Sequence, residues 1–110
     1  MKSNLENLKA IFKKMQKDGF DTSKPLKWGF FFFDNEKEKL LNVFEELKDY
    51  NYVNESLEIT DDGKWKLYVT KVEILGMEKL YRRNIAFNEL AEYCNVELYD
   101  GWDVEKIASN

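Results

Sequence analysis

The sequence contains no histidine, one cysteine and one proline among its 110 residues. Without histidine, a serine or cysteine nucleophile has no imidazole base beside it. A single cysteine can neither close a disulfide nor complete an ordinary zinc site within one chain. The 5 glycines are scattered, so no glycine-rich loop that could hold a phosphate follows a predicted strand. These absences predict a protein without catalytic residues, cofactors or bound metal.

Long apolar runs and an excess of positive charge are missing as well. No run could span a bilayer, and the segment from Met1 to Met15 mixes charged residues through its apolar ones instead of forming a signal-peptide core. The 17 Lys and Arg residues are outnumbered by 21 Asp and Glu, and the net charge of -4 has the wrong sign for neutralising phosphates or anionic lipid. We therefore expect a cytoplasmic protein without membrane or direct nucleic-acid partners, whose surface suits a basic or neutral protein.

Aromatic residues, by contrast, are plentiful at 15% and concentrate in one run. The run from Trp28 to Phe33 has turn-forming residues on both sides, which predicts a short strand buried on both faces. Successive side chains of a strand point to opposite faces, so the run divides into two sets. One set is Trp28, Phe30 and Phe32, and the other is Phe31 and Phe33. A strand of this kind lies in the middle of a sheet.

Helical and strand patterns alternate along the rest of the chain. Apolar spacing predicts an N-terminal amphipathic helix and two further helices over residues 35–50 and 77–94. Strand patterns cover residues 52–60, a return strand that begins at Trp65 after an Asp62-Gly63 hairpin turn, and residues 96–102. The order predicts an α+β fold, a ferredoxin-like βαββαβ antiparallel sheet with two helices on one face, preceded by the N-terminal helix. Strands one and three should be central.

A chain of this length predicts a single domain with short additions. We assign residues 1–19 to the N-terminal helix, 20–26 to a linker, 27–104 to the ferredoxin-like domain and 105–110 to a tail.

This arrangement leaves the second face of the sheet without a helix, although Phe31 and Phe33 point toward it. Exposed aromatic patches are seldom left in water, so the cover is the N-terminal helix, a second copy of the chain in a homodimer, or a functional partner. We expect the N-terminal helix to cover part of this face with the apolar residues Leu5, Leu8, Phe12 and Met15.

The same fold serves RNA-recognition modules that stack bases on aromatic side chains of the central strands. Phe31, Phe33 and Tyr68 could form such a platform. The third strand lacks the basic-Gly-aromatic signature of those modules, however, and the net negative charge opposes phosphate binding. Direct RNA binding is therefore not expected.

Short motifs at both ends of the predicted domain carry a family resemblance. Tyr99-Asp100-Gly101-Trp102 closes the domain after a helix, and Trp28-Gly29-Phe30 opens it after a short leader. With the helix that leads to Asn51-Tyr52, these motifs resemble the regulator of ribonuclease E activity B family over residues 27–104. The resemblance implies a bacterial, non-enzymatic protein that binds a degradative endoribonuclease and lowers its activity on RNA. This sequence departs from the family pattern at Asn51, where the family has a turn glycine.

Two functional hypotheses follow from these observations. The first is a protein-binding regulator, and the alternative is a ferredoxin-like module that binds a small apolar ligand or associates with itself. For Trp102, a structural corner next to a bulge at Asp100-Gly101 is favoured over an interface anchor. The candidate partner-binding residues are Phe31, Phe33, Tyr68, Asp100, Trp102 and Asp103.

Overall fold

The computed structural model describes residues 5–107, so the first four residues of the N-terminal segment and the last three of the predicted tail lie outside the description. Within that range the chain forms three helices and a four-stranded antiparallel sheet, an α+β fold. The elements are α1 (Leu5–Lys17), β1 (Leu26–Asp34), α2 (Lys37–Leu47) with a 3-10 turn (Lys48–Tyr50), β2 (Val53–Ile59), β3 (Trp65–Glu73), α3 (Met77–Tyr93) and β4 (Leu98–Glu105).

The strands lie in the order β2-β3-β1-β4, and every neighbouring pair is antiparallel. β1 and β3 are therefore the central strands, while β2 and β4 form the edges. The aromatic run lies within β1, in line with its prediction as a strand inside the sheet.

One face of the sheet carries the hydrophobic core beneath the helices, and we call it the helix side. Trp28, Phe30 and Phe32 are fully buried there. Phe87 of α3 packs edge-on against Phe30, with ring centroids 4.9 Å apart, and Leu40 of α2 is fully buried in the same core. Each large apolar side chain that is removed from water in this way contributes about 1.5–3 kcal/mol to folding.

The N-terminal helix α1 also packs on the helix side. Phe12 stacks on Trp28 with ring centroids 6.2 Å apart, Leu8 and Met15 are buried in the same core, and α1 contacts α3. The expectation that this helix covers Phe31 and Phe33 is therefore wrong. Trp28 lies near the start of β1, and the apolar residues of α1 bury its large ring.

The return from α1 to β1 depends on Gly19. Its left-handed backbone, with φ of 86°, ends the helix, and the N–H of Phe20 bonds back to the carbonyl of Met15 at 2.9 Å. Asn51 reverses the chain after the 3-10 turn in a left-handed conformation as well, with φ of 70°, which glycine favours and asparagine tolerates.

The predicted bulge in the last strand is confirmed. β4 pairs with β1 so that Gly101 lies opposite Phe31 and Tyr99 opposite Phe32, which leaves Asp100 as the extra residue. Gly101 has φ of 105°, a value that L side chains rarely adopt. The strand then continues to Glu105, beyond the predicted end at Trp102.

A charged network links the helix side of β3 to α3. The guanidinium of Arg83 donates two hydrogen bonds to the carboxylate of Glu73, at 2.8 Å and 3.0 Å, and a further one to the hydroxyl of Tyr52 at 2.5 Å. Burial raises the pKa of Tyr52 to about 12, so this hydroxyl stays protonated at neutral pH. Both charges of the bidentate pair are satisfied, as partly buried charges require.

Candidate functional site

The face of the sheet opposite the helices is here called the open face. The register of the strands decides which side chains it carries, because residues paired across neighbouring strands point to the same side. β1 contributes Lys27, Gly29, Phe31 and Phe33; β3 contributes Lys66, Tyr68, Thr70 and Val72; β4 contributes Leu98, Gly101, Asp103 and Glu105; and β2 contributes Val53, Glu55, Ser56 and Glu58. All three described helices place their buried stripes on the other side.

The centre of the open face is aromatic. The rings of Phe31 and Tyr68 lie directly opposite each other and stack, with centroids 4.6 Å apart and planes inclined by 11°. Around them, Val53, Val72 and Leu98 keep 54%, 57% and 39% of their surfaces exposed. We call this stacked pair with its apolar surroundings the aromatic platform, and it is the kind of patch that marks an interaction surface.

Tyr68 reaches across β1 to a carboxylate on β4. Its hydroxyl donates to Asp103, at 3.0 Å from Oδ1. The ring can cross β1 only because Gly29 has no side chain there. A Cβ on Gly29 would lie 2.2 Å from Asp103 Oδ1 and 2.3 Å from Tyr68 Cε1. This glycine is therefore a close-approach position between three strands.

The hydroxyl of Tyr68 and the carboxylate of Asp103 are both partly buried, and burial changes the pKa of each group. Burial raises the pKa of the Asp103 carboxyl, because the charged form loses solvation, and the hydrogen bond from Tyr68 offsets this only in part. Burial likewise raises the pKa of the Tyr68 hydroxyl, with the bond to Asp103 acting in the same direction. At neutral pH the hydroxyl is a neutral donor.

The lysines of the open face are already paired. Lys27 Nζ lies 3.2 Å from Glu55, which also accepts a hydrogen bond from Thr70 at 2.7 Å. These two bonds, the one from Thr70 first, lower the pKa of Glu55. Lys66 lies 4.0 Å from Glu58 and 5.9 Å from the centroid of the Phe31 ring.

The carboxylates of β4 have no such partners. Within residues 5–107, neither Asp103 nor Glu105 forms an ion pair. The side of the open face that lies toward β4 therefore carries two carboxylates outside any ion pair next to the aromatic platform. Lys27, which lies opposite Glu105, compensates them only in part, because its Nζ lies 3.2 Å from Glu55.

Four of the six residues predicted from the sequence come together on this face: Phe31, Phe33, Tyr68 and Asp103. Trp102 points to the helix side, where its ring lies 5.6 Å from that of Trp28 and packs against the core, as a structural corner would. Asp100 is the exposed extra residue of the bulge.

Sequence reasoning missed Gly29 and the pairing of Glu55 with Lys27. A lone glycine inside an aromatic strand is a recognised signal of close backbone approach, so Gly29 could have been found. Glu55 could not, because it lies where the register between β2 and β3 shifts, which reverses the parity of the residues that follow.

Two further observations limit the chemistry of the described part of the chain. Residues 5–107 contain no group of three Asp, Glu, Cys or His side chains that could hold a metal ion. In the same range, no helix has the length and apolar character needed to cross a membrane.

Comparison with known proteins gives a family. No individual curated protein matches the chain. The family described as regulator of ribonuclease activity B has a model that matches residues 6–104, a range that extends from α1 into β4. This match covers most of the chain, and the chain therefore belongs to the regulator of ribonuclease activity B family.

Proposed function

We propose that this protein is a non-enzymatic regulator that binds an endoribonuclease through the open face and lowers its activity on RNA. The observation that carries the proposal is a partly exposed aromatic platform, centred on Phe31 and Tyr68, that no described helix covers, in a chain of a ribonuclease-regulator family. Aromatic side chains of this kind are the usual anchors of protein interfaces.

The charge of the protein supports a protein partner rather than RNA. The net charge is -4, and the charged groups of the open face that form no ion pair within residues 5–107 are carboxylates. RNA phosphates would be repelled, while a basic protein surface would be attracted and oriented. Docking close to the RNA path of a nuclease, where basic residues collect, would reduce access of the substrate.

The assignment to the ferredoxin-like type is part of this proposal. It is supported by the βαββαβ order after α1, by the strand order β2-β3-β1-β4, and by both crossover helices lying on the helix side. A cytoplasmic location follows from the same reading, since endoribonucleases that degrade cellular RNA act there.

The test is cleavage of a fluorescent RNA by the endoribonuclease of the same host, with increasing amounts of the full chain. We expect inhibition that saturates and co-elution of the two proteins on gel filtration. F31A should weaken binding about tenfold, because truncation of a central aromatic anchor typically has an effect of this order.

The matched control is Tyr93→Ala, which removes another aromatic ring, 75% exposed, from α3 on the far side of the molecule. This variant should inhibit like the unmodified chain. Absence of inhibition at saturating concentrations, or equal loss in both variants, would contradict the proposal.

A second copy of the chain is the alternative occupant of the open face. The exposed Val53, Val72 and Leu98 favour it, because apolar side chains around an aromatic centre suit a homodimer. Sedimentation equilibrium at micromolar concentrations distinguishes the two. A dimer that F31A dissociates and Y93A does not would support self-association over the regulator.

A further inference from the structure

The charges on the open face are unequally distributed. Both lysines lie close to glutamates of β2, Lys27 to Glu55 at 3.2 Å and Lys66 to Glu58 at 4.0 Å. On the opposite side, Asp103 and Glu105 of β4 form no ion pair with any residue of the described range 5–107. A docking partner therefore meets a surface that can accept positive charge at β4 and offers little free positive charge elsewhere.

Asp103 is held in a fixed position without being neutralised. Tyr68 donates to Oδ1 at 3.0 Å and also lies 3.2 Å from Oδ2, but a phenol hydroxyl carries no charge. Burial raises the pKa of Asp103 and the charge of Glu105 adds to the effect, while the hydrogen bond from Tyr68 and the charge of Lys27 offset it only in part, so the ionised carboxylate is incompletely compensated. A cation from a partner placed beside this carboxylate would provide the ion pair that no residue of the described range 5–107 provides.

The aromatic platform lies directly beside that carboxylate. The Tyr68 ring, whose hydroxyl bonds to Asp103, is stacked on Phe31 at 4.6 Å. A planar cation can lie against an aromatic face while its edge donates to a carboxylate, and guanidinium has the shape for both contacts at once. An ammonium group can satisfy the carboxylate but stacks less well.

From these contacts we propose that Asp103, Glu105 and the Tyr68 ring form a recognition site for an arginine side chain of the bound protein. The site extends the proposed function by naming the chemistry of the partner. A phosphate-bearing partner is disfavoured because both carboxylates would repel it. A second copy of the chain is disfavoured because its two arginines, Arg82 and Arg83, already pair with Glu78 and Glu73.

The direct test uses the full chain, labelled with nitrogen-15, and the probe acetyl-Gly-Arg-Gly-amide at millimolar concentrations. We expect saturable chemical-shift changes at the backbone amides of residues 67–69 and 102–105. The same peptide with citrulline, which keeps the shape and removes the charge, should give none. A peptide with lysine should bind more weakly than the arginine peptide.

Asp103→Asn should weaken binding of the arginine peptide about fivefold, the effect expected for one partly exposed charge contact with a cation on a ring. The control is Glu89→Gln, which removes the same charge from an exposed position on α3 and should leave the affinity unchanged. Equal binding of the citrulline peptide, shifts that map elsewhere, or equal effects of D103N and E89Q would overturn the site. Saturable binding of a twelve-nucleotide uridine RNA at the same amides would also overturn it.

The folded state of D103N is checked by thermal unfolding at pH 7. A carboxyl whose pKa is raised in the native state binds more protons folded than unfolded, so its contribution to stability falls as pH rises through that pKa. Removing the charge should therefore leave the unfolding midpoint equal or higher, and the asparagine oxygen can still accept from Tyr68.

The ribonuclease assay separates failure of this site from failure of the proposed function. If D103N inhibits as well as the unmodified chain while F31A does not, the arginine site is wrong and the regulator stands. If the arginine peptide binds as expected but the unmodified chain inhibits no endoribonuclease of its host, the site stands and the regulator is wrong.

Discussion

Replacing Gly29 by alanine tests the geometry on which the open face depends. The new methyl carbon would lie 2.2 Å from Asp103 Oδ1 and 2.3 Å from Tyr68 Cε1, whereas ordinary van der Waals contacts begin at about 3.4 Å. Both obstacles are side chains, so the backbone of β1 need not move. The Tyr68 ring must instead leave its position over β1, and its hydrogen bond to Asp103 breaks.

The expected loss of stability combines three effects. Forcing a methyl group into occupied space costs about 1–3 kcal/mol. The lost hydrogen bond to a charged acceptor adds about 1 kcal/mol, at the low end because water can replace it at a half-exposed site. Alanine is favoured over glycine in a strand by about 0.5–1 kcal/mol, which offsets part of the loss. We expect G29A to lower the free energy of unfolding by about 2 kcal/mol, or the unfolding midpoint by roughly 10 °C.

Urea unfolding followed by tryptophan fluorescence measures this change. The informative comparison is the same substitution in a Y68A/D103A background, where both obstructing side chains are gone. There G29A should be neutral or stabilising by up to about 1 kcal/mol, so that the effect changes sign. Equal destabilisation in both backgrounds would refute the reasoning, because the obstacle would then lie elsewhere. No loss in the native background would show that Tyr68 does not cross β1.

Three further outcomes are expected from other parts of the molecule. F12A removes the ring that covers Trp28 and should cost about 3 kcal/mol in urea unfolding; I11A, which changes a residue of the same helix that is 41% exposed, should cost less than about 0.5 kcal/mol. R83M leaves Glu73 partly buried and unpaired, and should cost about 3 kcal/mol at pH 7; a smaller loss for the same substitution in an E73Q background, where no charge is left unpaired, checks that the charge is responsible. Burial raises the pKa of the Cys94 thiol, so its reaction with a disulfide reagent should be slower at pH 7 than that of free cysteine; a rate equal to that of free cysteine would contradict this.

The sequence by itself determined the elements and the division of the aromatic strand. Alternation of side chains in β1 separated Trp28, Phe30 and Phe32 from Phe31 and Phe33, and the separation holds because it depends only on the local geometry of a strand. The bulge at Asp100 was predictable for the same reason, since a glycine inside a strand acts on its own backbone.

Only the tertiary structure decided what those elements contact. The apolar stripe of α1 shows that one side of the helix must be buried, but it does not say against which face of the sheet, and the helix packs on Trp28 rather than on Phe31. The same limit applies to the open face. Gly29 matters because Tyr68 and Asp103, far apart along the chain, meet above it, and that meeting depends on the register of three strands. Register is set by packing and bulges across the whole sheet, so no local pattern contains it.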